Sequence, residues 1–129
     1  QHVLEPLLAY MMIAQKQMET PALAGSYNVG RDDEGCYETG ALVDLFISAW
    51  GGGLKRVGQS GGGPHEANFL KLDCTKLKTT FGWQPRWTLK TAVEKTVEWT
   101  KVWQSGGDVS ACMAMQIAEY AEAVRTSAR

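Results

Sequence analysis

The stretch WGGGLKRVGQSGGGPH, residues 50–65, constrains this chain more than any other. A glycine in a helix interior costs about 1 kcal/mol relative to alanine, and it weakens a strand interior as well. No long helix or strand can therefore run through this stretch. Regular structure must lie before Gly51 and after Pro64, with room between them for at most a short strand at LKRVG (54–58) and a turn or flexible loop at SGGGP (60–64).

The flanking sequence is periodic in the way helices are. Leu4, Leu7, Leu8, Met11 and Met12 repeat at helical spacing and predict a helix that ends near Met18, before Thr20-Pro21. Pro6 fits its first turn, where a missing N–H is harmless. GSYNVG (25–30) alternates as a strand does, and RDDEG reads as an exposed charged loop. Thr39 suits the N-cap of a second helix carrying Leu42, Leu45, Phe46 and Ala49 on one face. Beyond the glycines, NFLKL predicts a short strand, and Asp73 caps a short helix ended by Gly82. Thr88 opens a long helix with Leu89, Ala92, Val93, Thr96, Val97 and Trp103 facing inward. Asp108 opens the last helix, with Met113, Ile117, Tyr120, Ala121 and Val124 as its inner stripe. The fold class that follows is α+β, mostly helical with two or three short strands.

A chain of 129 residues builds about one domain, and 44% hydrophobic with 21% charged residues is ordinary for a globular one. A net charge of -1 and a pI near 6.1 give no nucleic-acid surface. No apolar run approaches the roughly 18 residues that span a bilayer. Cys36, Cys74 and Cys112 are scattered, without a CxxC pair. They read as reduced thiols rather than a zinc site or disulfide framework, which favours the cytoplasm. The start at QHVLEP, without an initiator Met, reads as a piece of a longer polypeptide.

Few residues offer chemistry. The glycines match neither the GxxxxGK pattern of a P-loop nor GxGxxG. No tyrosine has a lysine four residues later: that offset from Tyr10, Tyr27, Tyr37 and Tyr120 finds Ala14, Arg31, Ala41 and Val124. His65 and Glu66 are adjacent, so in an extended chain they point to opposite faces and do not converge on one metal or one proton. A pairing of His65 with Cys74 rests on co-occurrence alone. His65 and Glu66 read either as a ligand-contacting loop or as plain connection. Lys55 and Arg56 flank the glycines and either meet a diphosphate or stay solvated. Trp83, Trp87, Trp99 and Trp103 read as core packing. Lys71, Lys76, Lys78, Lys90 and Lys95, interleaved with Glu94 and Glu98, read as a solvated face.

Residues 65–99 carry a longer pattern: HEANFLKLD, then Asp73 and Lys76, GWQP (82–85) and TVEW (96–99). This pattern resembles the C-terminal signature of extended short-chain dehydrogenases acting on nucleotide sugars. Within them, QHVLEPLLAY, SYNVG and QIAEY (116–120) resemble the CDP-glucose 4,6-dehydratase family. The resemblance covers nearly the whole chain and implies the C-terminal part of a Rossmann-type fold. Residues 1–129 then form a single substrate-binding domain, and the N-terminal NAD-binding Rossmann domain with its Tyr-Lys pair is absent.

Further expectations follow from that resemblance. The ligand is a nucleotide sugar, CDP-glucose. The cofactor NAD is held by the missing domain, so neither catalytic, cofactor nor metal residues are expected in this chain. His65, Glu66 and Asn68, with Lys55 and Arg56, are the substrate-binding residues and act as a clamp rather than as the chemistry. The isolated chain is expected to be inactive and to self-associate through an apolar face, without nucleic-acid or membrane partners. Two alternatives are another nucleotide-sugar epimerase or dehydratase and a stand-alone interaction module.

Overall fold

The computed structural model describes residues 1–31, 37–58 and 72–127. Among them it contains helices α1 (Leu4–Glu19), α2 (Thr39–Trp50), α3 (Thr75–Phe81), α4 (Leu89–Gln104) and α5 (Val109–Thr126), plus a 3-10 turn at Pro21–Leu23. The mostly helical expectation holds, and the helices begin and end within a residue or so of the sequence signals. Thr88 accepts from the Thr91 N–H and Asp108 from the Ala111 N–H, each holding an otherwise orphan donor at a helix start. Asp73 caps α3 from one position further out, its Oδ1 accepting from Thr75 N at 2.9 Å, while Cys74 occupies the N-cap itself. Gly82 stops α3 with φ +66°, a left-handed conformation that a side chain resists. α2 departs from expectation: Thr39 is its first helical residue, and the N-cap Glu38 makes no side-chain cap.

Among the described residues no strand forms. Residues 25–30 and 54–58 join no ladder, and NFLKL lies outside the described residues except for Leu72. A strand exists only where a partner satisfies its backbone groups. Residues 25–30 do lie against the segment before α3, but side chains make the join. Asn28 Nδ2 donates to Asp73 O at 3.1 Å, and Lys76 Nζ to Ser26 O at 3.1 Å.

Two packed regions position everything else. Ala9, Leu77 and Trp83 are fully buried beneath α1 and α3, with Leu8, Met12, Ile13, Tyr27, Val29 and Phe81 around them. Burying side chains the size of Leu77 and Trp83 contributes about 1.5–3 kcal/mol each. The second region joins α4 to α2 and α5 through Ala92, Val93, Val97 and Cys112. Gln116 Nε2 links α5 to α4, donating to Lys95 O at 2.9 Å and Glu98 Oε2 at 3.1 Å. Lys90 pairs with Glu94 in solvent, in line with the solvated-face reading, whereas Lys95 departs from it: its side chain is 20% exposed and its Nζ joins Glu98 on α4 to Glu119 on α5. Lys76 differs, reaching Ser26 and lying 4.4 Å from the centre of the Tyr27 ring.

Candidate functional site

The described residue most strongly embedded in polar contacts is Glu5, and the sequence reading passed over it. Glu5 lies at i−3, i−4 and i−7 from Leu8, Ala9 and Met12, so it is carried on the buried stripe of α1 and is 1% exposed. A buried carboxylate persists only when fully hydrogen-bonded. Glu5 Oε1 accepts from Arg86 N at 2.9 Å and Trp87 N at 2.8 Å, and Oε2 accepts from the Tyr120 hydroxyl at 2.6 Å. Trp83 Nε1 adds a bond to the Glu5 carbonyl at 3.3 Å. One residue thus ties the start of α1 to the Pro85–Trp87 turn and to α5. The Tyr120 phenol is held far above its usual range, first by burial and then by its bond to Glu5.

His2 joins the same cluster. Its ring meets Trp87 edge-on at 4.9 Å, and Trp87 meets Tyr120 edge-on at 5.1 Å. Burial holds the imidazole below its ordinary range, with Glu5 opposing. This placement agrees with a structural role for His2.

Beside the cluster an apolar groove of about 470 Å³ opens between the start of α1, α4 and α5, lined by Leu4, Leu7, Trp99, Met113 and Ile117 among others. Its existence corrects two expectations. On α5 Tyr120 is buried as expected, but Cys112 and Gln116 share that stripe in place of Met113 and Ile117, which are 50% and 53% exposed. On α1 the apolar face is split: Leu8 and Met12 pack inward, while Leu7 and Met11 stay exposed. Trp103 is likewise exposed, not core, and stacks on Trp99 at 6.4 Å. The groove walls are mostly hydrocarbon and aromatic ring, with Gln1, His2, Thr96 and Gln116 adding polar atoms, and they suit apolar side chains.

The expected substrate residues divide into two groups. His65, Glu66 and Asn68 lie outside the described residues. Lys55 is exposed in the segment after α2. Arg56 turns back onto α2, with its guanidinium against Gly40 and Nη1 3.6 Å from Asp44 Oδ2, an ion pair open to solvent. Lys55 and Arg56 are therefore close in sequence, and Arg56 already has an acidic neighbour. Arg31, read from sequence as part of an exposed loop, is instead partly buried, and its Nε and Nη1 are buried without a partner. Cys74 and Cys112 are buried and free, and burial pushes the Cys112 thiol up. No helix among the described residues is long and apolar enough to cross a membrane.

No family model matches the chain. A curated relative does: over 124 residues the chain is 36% identical to a CDP-glucose 4,6-dehydratase from Salmonella typhimurium. The match takes in 95% of this chain and 34% of the relative, so the chain spans about a third of the relative's length. The resemblance to a CDP-glucose 4,6-dehydratase, read from QHVLEPLLAY, SYNVG and QIAEY, is thereby shown, and a match of this extent fits a C-terminal portion.

Proposed function

We propose that this chain is the nucleotide-sugar-binding portion of a CDP-glucose 4,6-dehydratase, working in the cytoplasm as part of an enzyme that converts CDP-glucose to CDP-4-dehydro-6-deoxyglucose and water. The observation that carries this reading is the 36% identity sustained over 95% of the chain. The parent activity is a lyase reaction of deoxysugar synthesis. NAD supplies the hydride acceptor and donor, and it is held, with the Tyr-Lys pair, by the part of the parent enzyme outside the stretch this chain matches. The part played here is to hold the ligand. His65, Glu66 and Asn68 clamp the nucleotide side, while Lys55 and Arg56 add positive charge beside the glycine-rich stretch. Without the catalytic pair the chain alone does not turn over.

The exposed apolar groove supports the same reading, because a surface of Leu7, Met113 and Ile117 costs free energy when left in water. In the parent enzyme the part outside the matched stretch covers it; in isolation copies of the chain cover one another. The test is calorimetric titration of CDP-glucose, UDP-glucose and dTDP-glucose into the chain. Tightest binding of CDP-glucose is expected. Equal weak responses to all three remove the cytidine assignment, and tighter binding of another nucleotide sugar moves the chain to a different dehydratase or epimerase. No heat from any of them favours an interaction module.

A further inference from the structure

His2 stands where α1 begins and where the apolar groove opens. Val3 holds the N-cap position of α1 and makes no side-chain cap, so the first N–H groups of the helix need another acceptor. His2 supplies one, its Nδ1 accepting from Leu4 N at 3.4 Å. The same ring lies edge-on to Trp87 at 4.9 Å and lines the groove with Leu4, Leu7, Trp99 and Ile117.

The bond to Leu4 fixes the tautomer. A neutral imidazole has one N–H and one bare nitrogen. With Nδ1 accepting, the proton sits on Nε2. A second proton goes only to Nδ1, the atom that holds the Leu4 N–H, so protonation of His2 and this bond exclude one another. The positive end of the α1 dipole lies beside the ring and disfavours a cation there.

The charged groups around the ring are few. On α1, Glu5 favours the imidazolium, but both its oxygens already accept bonds from Arg86 N, Trp87 N and the Tyr120 hydroxyl. Burial opposes the imidazolium most, and the Gln1 amine and Lys95 of α4 oppose it too. The Pro85–Trp87 turn carries Arg86, a further cation, and Tyr120 of α5, across Trp87 from the ring, keeps its proton. The α5 residues on the groove, Met113, Gln116 and Ile117, do not titrate.

We infer that His2 is a proton-operated latch: neutral, it caps α1 and leaves the groove wall uncharged; protonated, it frees the Leu4 N–H and sets a cation among the apolar side chains. This stands independently of the nucleotide-sugar reading. The sign follows from the lowered pKa of the ring in the folded chain. The closed state is complete above the unfolded value of about 6.5 and is lost as the pH falls from there through the folded value.

Fluorescence titration with the neutral apolar dye Nile red, at about pH 7.5 and about pH 5, either side of that unfolded value, tests the inference. The chain is kept at a dilution where sedimentation gives the monomer. Wild type is expected to bind the dye at least about threefold more weakly at the lower pH, a change within the reach of a charge at a helix end. His2→Asn keeps a side-chain acceptor without titrating, so its ratio between the two conditions should stay near one. Ile117→Lys, which places a charge in the groove, should lose the dye in both. A fall in His2→Asn equal to that of wild type overturns the inference, as does no fall in wild type. Absence of binding to wild type at the higher pH, or binding untouched by Ile117→Lys, overturns it as well. If His2→Asn does not fold, hydrogen exchange of the Leu4 amide in wild type carries the test. Protection lost with the midpoint of the dye response supports the latch, and protection unchanged across that range overturns it.

Discussion

At the residue scale the structure turns on Glu5, whose carboxylate accepts from two backbone N–H groups and a phenol. Glu5→Ala leaves three buried donors unmatched and is expected to cost about 3 kcal/mol or more, whereas Tyr120→Phe removes one bond and costs about 1–2 kcal/mol. Urea denaturation measures both, and a loss below about 0.5 kcal/mol for Glu5→Ala, the range of neutral surface changes, contradicts the hub role. The raised pKa of Tyr120 also sets a pH dependence. Because the folded value lies above the unfolded one near 10, its contribution is complete below about pH 10 and is lost as the pH rises further. Stability should therefore fall above that point, and Tyr120→Phe should flatten the fall in an alkaline denaturation series.

At the element scale the account predicts which face of α5 matters. Ile117→Lys changes an exposed position and should shift stability by no more than about 0.5 kcal/mol, whereas Val97→Ala in the α4 core should cost about 1–3 kcal/mol. Chemical melts of the two variants decide the matter, and a reversal of their order would restore the face expected from sequence. Gly82→Ala, at φ +66°, should cost about 1 kcal/mol by the same measurement.

Helix positions were legible because capping residues and proline or glycine stops act locally: Thr88, Asp108 and Gly82 each work through their own backbone neighbourhood. Facing was less legible. Met113 and Ile117 are as apolar as a core stripe, and periodicity does not say whether a stripe meets this chain or something else. Strands at 25–30 and 54–58 were misread because alternation reports a two-faced segment, not the partner a ladder needs. Glu5 was visible as a charge on an apolar stripe. Arg31 gave no signal in the sequence, since the contact of its neighbour Gly30 with Leu72 and Cys74 joins residues distant along the chain.

At the scale of the whole molecule, an apolar groove on a chain that spans about a third of a relative's length predicts association. Sedimentation should show oligomers that grow with concentration and dissociate in the double variant Leu7→Glu, Ile117→Lys, while a monomer at high concentration contradicts the prediction. The central claim is that the chain holds the ligand for chemistry performed by the part of the enzyme outside the stretch it matches. The most direct measurement supplies that part. The remaining part of the Salmonella typhimurium relative would be mixed with this chain, NAD and CDP-glucose, and the 4-dehydro-6-deoxy product followed. The account predicts product from the mixture and none from either part alone. Product from this chain alone contradicts it, as does silence from the mixture when the same partner is active with the relative's own corresponding region.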